Sequence, residues 1–201
     1  MLNQLVNFSR DQKFILACSG GVDSMAIASF YRKGNKDFVL AYFNHGTEQA
    51  NNMEEFTRKY AKDNFIEYAS GKISKQKSKS ESKEEHWRNE RYAWLKSFNL
   101  PIVTCHHLND AVETWVFTSM NGNPKVISVV NDNIYRPFLA NTKEDMISWC
   151  TKNNVPWIED QSNKDISFPR NRIRHVIMPE IIKINPGIEK TIKKKILSQI
   201  K

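Results

Sequence analysis

The chain has 201 residues, 40% of them hydrophobic, which fits one compact domain with a sizeable core and excludes two full-sized domains. It has no apolar stretch near the roughly 20 residues of a transmembrane helix, no secretory pattern in its first ten residues, and no C-x-x-C pair among its three cysteines, so we expect a cytoplasmic protein without membrane contact. Thirty Lys and Arg against 22 Asp and Glu give a net charge of +8, which suits a polyanionic partner such as nucleic acid.

Short apolar runs alternate with segments of helical periodicity along the first 120 residues. The apolar runs predict strands at residues 14–18, 37–44, 65–69 and 101–105. The periodic segments predict helices at residues 22–32, 49–64, 84–98 and 109–120, with Gly34 at the C-cap position of the first. Such alternation is typical of an α/β protein. The sequence therefore predicts a twisted parallel sheet with helices on both faces.

The rest of the chain departs from this alternation. A hairpin is predicted over 126–136, with its two-residue turn at 131–132, and a helix over 142–153 begins after Thr142 as its N-cap. Beyond Pro169 the pattern is helical again, and the Lys-rich tail at 189–201 predicts one more helix.

Residues 72–83 are nearly all Lys, Ser, Glu and Gln. Because they cannot repay their ordering entropy by burial, we expect a mobile loop there. The predicted organisation is one domain over 1–184 followed by a short basic helical appendage over 185–201.

The first predicted strand and helix are joined by Ser-Gly-Gly-Val-Asp-Ser, residues 19–24. At such a junction the backbone N–H groups converge, the helix dipole adds positive potential, and glycine lets phosphate oxygens approach closely. No Lys follows the glycines, so this is not a G-x-x-x-x-G-K-[ST] loop, and it is not the dinucleotide motif G-x-G-x-x-G. Gly-Gly alone would fit an ordinary turn, but the whole hexapeptide after an apolar strand favours a phosphate-binding loop.

The hexapeptide resembles the pyrophosphatase-type loop of N-type ATP pyrophosphatases, which cleave ATP between the α- and β-phosphates and adenylate an acceptor carbonyl. Further segments are similar to those of tRNA(Ile)-lysidine synthetases: Asn44-His45-Gly46, Glu84 with Arg88-Asn-Glu-Arg-Tyr92, His106-His-Leu-Asn-Asp-Ala-Val-Glu-Thr114, and finally Arg136-Pro-Phe-Leu139 with Trp157–Asp165 and Arg170-Asn-Arg-Ile-Arg174. The resemblance spans about residues 14–181 and implies a Rossmann-like fold of the adenine nucleotide alpha hydrolase type.

The resemblance also implies an activity. It is the ATP-dependent ligation of free L-lysine to carbon 2 of the wobble cytidine of an isoleucine tRNA with a CAU anticodon, through an adenylated cytidine, with Mg²⁺ as cofactor. The protein would act as a monomer or homodimer, and we expect no separate C-terminal tRNA-binding domain of the kind that bacterial members of the family usually carry.

Site residues follow from the matched motifs. The residues implied to bind ATP are Ser19, Gly20, Gly21, Val22, Asp23, Ser24 and His45. Those implied to be catalytic are Asp23, Asp110, Glu113 and His107, and the three carboxylates are also the expected Mg²⁺ ligands, since Asp110 and Glu113 at i, i+3 can share a helix face. Those implied to contact tRNA or lysine are Arg88, Arg91, Arg136, Asp160, Ser162, Asn163, Asp165, Arg170, Asn171 and Arg174.

One departure from the family pattern keeps two alternatives open. Asn109 stands where the family usually has the first residue of an Asp-Asp pair, which removes one anionic group from the expected metal site. The chain could instead be another tRNA-modifying enzyme with this loop, such as a thiolase, or a non-catalytic RNA-binding derivative. Pyrophosphate release from ATP distinguishes an enzyme from a binding module, and dependence on lysine distinguishes the two enzymes.

Overall fold

The computed structural model describes residues 1–75, 81–160 and 165–200. Its sheet has six strands in the order β3-β2-β1-β4-β6-β5. The strands are β1 (Phe14–Ala17), β2 (Phe38–Asn44), β3 (Glu67–Lys72), β4 (Ile102–Val103), β5 (Val130–Asn131) and β6 (Ile134–Tyr135). All neighbours pair in parallel except β5 with β6. The predicted α/β class with a mainly parallel sheet is confirmed.

Eight α-helices connect and follow the strands in the described ranges. They are α1 (Val22–Lys33), α2 (Glu48–Asp63), α3 (Lys83–Lys96), α4 (Leu108–Met120), α5 (Lys143–Lys152), α6 (Pro169–Arg172), α7 (Met178–Ile184) and α8 (Ile188–Leu197). A π-helical segment, Ile173–Ile177, joins α6 to α7 without a break in helical backbone. Within these same ranges, no helix combines the length and apolar character needed to cross a membrane.

The two faces of the sheet are both covered. Phe14 and Leu16 of β1 pack with Met25 of α1 and Met146 of α5 on one face. Ile15, between them in the chain, packs on the other face with Leu95 of α3. This alternation is the period of a strand, in which successive side chains point to opposite faces. Helices on both faces agree with the prediction and leave the carboxyl ends of the strands free for a site.

Several boundaries differ from the predicted ones. The strand predicted at 65–69 begins at Glu67, because Phe65 adopts a left-handed conformation (φ 55°) and is 97% exposed in the turn after α2. The hairpin turn lies at Asp132 and Asn133, one residue later than predicted, and Asp132 has a positive φ (56°). Gly34 is the C-cap of α1 as predicted, and the left-handed conformation falls on the next residue, Asn35.

The polar segment at 72–83 is shorter than predicted. Lys72 is the last residue of β3, and Ser82 caps α3 by accepting a hydrogen bond from the Glu85 amide at 3.1 Å. Residues 76–80, the middle of the predicted mobile loop, lie outside the described residues.

The C-terminal helix is attached to the rest of the fold along one face. Ile188, Ile192 and Ile196 of α8 are buried, and they join a cluster with Val112 and Val116 of α4. The spacing i, i+4, i+8 places the three isoleucines on one stripe. A division at residue 184 remains a prediction, but the buried stripe ties α8 to the helix that carries Asp110 and Glu113.

Candidate active site

The loop at residues 19–24 leaves the buried strand β1 and enters α1 at the carboxyl edge of the sheet. The Ser24 hydroxyl holds it together: its Oγ accepts from the amides of Ser19 (3.2 Å) and Gly20 (3.1 Å) and donates to the Gly21 carbonyl (2.9 Å). In the described part of the chain no side chain caps the first turn of α1. The loop is therefore compact, and the helix N-terminus beside it suits an anion.

Gly20 is required by both its conformation and its surroundings. Its φ is +83°, and a Cβ there would lie 3.2 Å from Cγ2 of Thr57 on α2. Any side chain would combine backbone strain with a tight contact. Gly20 thus has a structural reason to be glycine, and close approach of phosphate at this loop stays a prediction.

Asp23 is held by a lysine from a distant part of the chain. Lys143 Nζ lies 2.9 Å from Asp23 Oδ1 and 2.8 Å from Oδ2. His107 Nε2 lies 3.6 Å from Asp23 Oδ1 on the same carboxylate. The ion pair between Asp23 and Lys143 thus joins the first turn of α1 to the start of α5.

His107 and Asp110 form the N-terminal cap of α4. The Asp110 carboxylate accepts from the His107 amide (3.0 Å), and the Asp110 amide donates to His107 Nδ1 (3.4 Å). With Nδ1 accepting, Nε2 carries the proton in the neutral ring, and it lies 3.5 Å from Asp110 Oδ2. Since only 3% of His107 is exposed, its imidazole is placed to orient Asp23 and Asp110.

Opposing effects set the pKa of Asp110. Burial by itself would raise the pKa, but the neighbouring histidines, the His107 amide and Arg174 together lower it below the ordinary value of an aspartate. Asp110 is therefore an anion at neutral pH.

Arg174, in the π-helical segment, binds both carboxylates of α4. Its Nε and Nη2 donate to the two oxygens of Glu113 at 2.7 and 2.8 Å, and Nη2 lies 3.1 Å from Asp110 Oδ1. Burial alone would lower the pKa of Arg174, but its contact with Glu113 raises it. π-Helical turns are frequent at functional sites, and this one brings the predicted Arg174 to the predicted Asp110 and Glu113.

The three carboxylates are the expected ligands of Mg²⁺. The described residues contain no group of three or more His, Cys, Asp and Glu side chains arranged for a metal ion. Mg²⁺ in nucleotide sites commonly uses only one or two carboxylates together with phosphate oxygens. Asp23 and Asp110, which both lie near His107 Nε2, could supply such a pair. Glu113 is bound through both oxygens by Arg174, and Asp23 is likewise bound through both oxygens by Lys143, so a metal ion at either carboxylate would replace a cation already there.

Three predicted arginines gather around Tyr92. The guanidinium carbons of Arg88 and Arg91 lie 5.5 and 5.4 Å from the ring centre. Arg136 is 6% exposed, and its Nη1 donates to the Ser128 carbonyl at 2.8 Å. Burial lowers the pKa of Arg136, and contact with Tyr92 opposes that shift. Converging guanidiniums suit a phosphate or carboxylate.

His106 connects this arginine cluster to the carboxylates. Burial lowers its pKa to about 4 against the opposing effect of Asp110, and the charge of Arg136 acts in the same direction as burial. Thr104 Oγ1 lies 2.9 Å from its Nδ1. His106 is therefore a neutral spacer at physiological pH.

His45 extends the site on the other side of the loop. Its ring stacks on Trp87 of α3 with centroids 4.8 Å apart, and burial lowers its pKa to about 4. Asp160 acts electrostatically on the same histidine. The segment before Asp160 runs beside the loop, since the Ile158 amide donates to the Gly20 carbonyl at 3.0 Å.

The remaining predicted residues are less closely joined to the loop. Asn171 Nδ2 donates to the Asp165 carbonyl at 2.9 Å, the Asp165 carboxylate accepts from the Ser167 amide, and the Arg170 side chain is exposed. Ser162 and Asn163 lie outside the described residues.

Lys143 is the site residue that motif comparison missed. The sequence does hold one indication of its role. A lysine in the first turn of a helix is unfavourable, because the helix dipole repels its positive charge, so its presence there calls for another explanation. The effect of Asn109 on a metal site stays a prediction. Its side chain also joins three helices, since its Oδ1 accepts from the Lys143 amide (2.9 Å) and its Nδ2 donates to Glu189 Oε1 (3.0 Å).

Comparisons with known proteins establish the family of the chain. A tRNA(Ile)-lysidine synthase of Persephonella marina is 30% identical over 90% of this chain and 44% of its own length, and one of Haemophilus ducreyi is 27% identical over 92% and 46%. The chain spans about half the length of these curated relatives. An NH3-dependent NAD synthetase of Campylobacter jejuni shares the fold with a TM-score of 0.54 at 12% identity, covering 96% of this chain and 87% of that one. Residues 1–181 match the PP-loop domain family, and the chain belongs to it.

Proposed function

We propose that this chain is the ATP-activating domain of a tRNA(Ile)-lysidine synthetase, acting in the cytoplasm on an isoleucine tRNA with a CAU anticodon and on free lysine. One observation carries the proposal: Asp23, in the Ser19–Ser24 loop, and Asp110 both contact His107 Nε2, and the charges of Asp110 and of the arginine cluster around Tyr92 all act on His106. The relatives' names support the substrate.

ATP would lie with its phosphates on the Ser19–Ser24 loop, where backbone amides and the start of α1 stabilise negative charge. Mg²⁺, held by Asp23 and Asp110, would supply charge neutralisation of the phosphates when bound. His107 keeps these two carboxylates oriented toward each other through its Nε2.

The chemistry would proceed in two displacements. The O2 oxygen of the wobble cytidine attacks the α-phosphorus and pyrophosphate leaves, giving an adenylated base. The amine of lysine then attacks carbon 2, AMP leaves with its oxygen, and the amine loses its proton. Arg88, Arg91 and Arg136 would attract the tRNA backbone or the lysine carboxylate, because guanidinium forks match both anions.

The test is incorporation of labelled lysine. The protein is incubated with ATP, Mg²⁺, radiolabelled lysine and an isoleucine tRNA transcript with a CAU anticodon, and label in the tRNA is counted. A transcript with uridine at the wobble position and a reaction without ATP are the matched controls. We expect label only when both ATP and the wobble cytidine are present.

Other outcomes distinguish the alternatives. Pyrophosphate release without label would retain adenylation but exclude lysine as the acceptor amine, as for another tRNA-modifying enzyme. Absence of both label and pyrophosphate would contradict the enzymatic proposal and favour an RNA-binding module.

A further inference from the structure

The phosphate-binding loop contains a carboxylate and no cation of its own. Residues 19–24 include Asp23, and the residues that follow within α1 are apolar or hydroxyl-bearing up to Tyr31. A triphosphate arriving at this loop would meet backbone dipoles and one negative side chain. The loop therefore needs positive charge from another part of the fold.

Lys143 is the cation that the fold places there. Its ammonium contacts both oxygens of Asp23 at 2.8 and 2.9 Å, although the two residues are 120 positions apart. The Lys143 side chain remains 38% exposed, so a ligand at the loop could reach the ammonium. The ion pair lies at the mouth of the loop and is not sealed in the core.

The position of Lys143 is unfavourable for its own helix. It is the first residue of α5, where Thr142 and Asp145 form a capping box and the helix dipole repels a cation. Acidic residues would serve α5 better at this position. The lysine is therefore explained by what its ammonium reaches, not by the stability of α5.

The backbone of Lys143 is fixed while its side chain can move. The Lys143 amide donates to Asn109 Oδ1, and Asn109 is tied in turn to Glu189. A lysine ammonium on a flexible stem can exchange one anionic partner for another within reach of a fixed backbone.

We propose that Lys143 is a further ATP-binding residue, whose ammonium leaves Asp23 for the phosphates of the incoming nucleotide and thereby frees the Asp23 carboxylate for Mg²⁺. This inference rests on the proposed use of ATP, but it concerns phosphate binding alone and does not require lysidine formation. Lys143 would supply the positive charge that the loop itself lacks.

Binding measurements test this without any turnover. Wild type, Lys143→Met, Lys143→Arg and the control Lys152→Met, an exposed lysine in the last turn of the same helix, are titrated calorimetrically with ATP, inorganic pyrophosphate and adenosine. We expect Lys143→Met to weaken ATP and pyrophosphate binding about tenfold to hundredfold, which is the usual range for a lost charged hydrogen bond. Adenosine binding should be unchanged, Lys143→Arg should recover part of the loss, and Lys152→Met should match wild type.

A second measurement separates direct contact from an effect through Asp23. Pyrophosphate is titrated without metal into Asp23→Asn and into Asp23→Asn with Lys143→Met. Because Asp23 repels a metal-free anion, we expect Asp23→Asn to bind pyrophosphate more tightly than wild type, and we expect the added Lys143→Met change to weaken that binding.

Two results would overturn the inference. One is equal pyrophosphate affinity with and without Lys143 in the Asp23→Asn background, which would leave Lys143 as a holder of Asp23 only. The other is an equal loss of adenosine and pyrophosphate binding by Lys143→Met, which would indicate a disturbed fold. Failure of lysine incorporation with intact Lys143-dependent pyrophosphate binding would contradict the proposed function and not this inference.

Discussion

At the scale of single residues, the proposed chemistry depends on carboxylates that the fold holds with cations and an imidazole. Asp23 contacts Lys143 and His107, and Asp110 contacts His107 and Arg174. Each carboxylate is thus held in place by at least two side chains. Substitutions that preserve shape but remove charge are the sharpest tests of their roles.

Asp23→Asn should abolish ATP-dependent pyrophosphate release, lowering it by about a hundredfold or more, because a neutral amide cannot help hold Mg²⁺ as the carboxylate would. Pyrophosphate release with tRNA present is the measurement. Glu144→Gln, an exposed carboxylate in the first turn of α5, is the control and should behave as wild type. Full activity of the Asp23→Asn protein would remove Asp23 from the proposed mechanism.

Asp110 makes a pH-dependent contribution to stability. Its pKa is lowered in the folded protein, so its stabilising effect is present above its unfolded pKa and is lost as the pH falls through the lower, folded value. We expect Asp110→Asn to reduce the free energy of unfolding by about 1–3 kcal/mol at pH 7. In urea titrations between pH 7 and pH 3, the difference from wild type should shrink only in the acidic part of the range. A difference independent of pH would mean that lost shape, not lost charge, is responsible.

At the scale of elements, Asn109 joins the starts of α4, α5 and α8. An aspartate here could still accept from the Lys143 amide, but it would place a carboxylate against Glu189. We expect Asn109→Asp to lower the free energy of unfolding and Glu189→Gln to restore most of the loss, with a coupling energy of about 0.5–3 kcal/mol. Urea unfolding of both single variants and the double variant measures the coupling. Additive effects would show that the two side chains do not interact.

The contact between β3 and α3 requires a glycine. A Cβ on Gly71 would lie 2.5 Å from Cε2 of Trp94, so Gly71→Ala forces the indole or the strand to shift. We expect a loss of about 1–3 kcal/mol, the usual cost of overpacking, measured by thermal or urea unfolding. Trp94→Phe should reduce the penalty of Gly71→Ala, since the smaller ring leaves room. An equal penalty beside either ring would place the strain elsewhere.

At the scale of the whole molecule, α8 is part of the packed structure that supports the site. Ile192 is fully buried against the α4 cluster, whereas Ile200, in the short turn after α8, is 43% exposed. We expect Ile192→Ala to cost about 2–5 kcal/mol in the free energy of unfolding. Ile200→Ala should cost well under 1 kcal/mol by the same measurement. If Ile192→Ala and Ile200→Ala both changed the free energy of unfolding by well under 1 kcal/mol, the predicted boundary at residue 184 would be supported.

The sequence by itself determined the fold class, because the alternation of buried apolar runs with helical periodicity leaves few arrangements besides a parallel sheet covered on both faces. It also determined the tight turn at residues 19–24, since Gly20 and Asp23 lie within one local turn whose geometry follows from neighbouring residues. The sequence determined the ends of the strands less well. β4 pairs at only two residues although five were predicted, because the length of a strand depends on how many residues of the neighbouring strands can form hydrogen bonds with it.

Only the tertiary structure decided how the charges are partnered. Lys143 reaches Asp23 across 120 positions, and Arg174 reaches Glu113 across 61, distances in sequence over which no local pattern specifies a contact. The same is true of Asn109, which as a sequence feature suggests a weakened metal site and in the fold is a junction of three helices. Local geometry is fixed by propensity and periodicity, whereas the pairing of charges is fixed by which elements the packed core brings to one edge of the sheet.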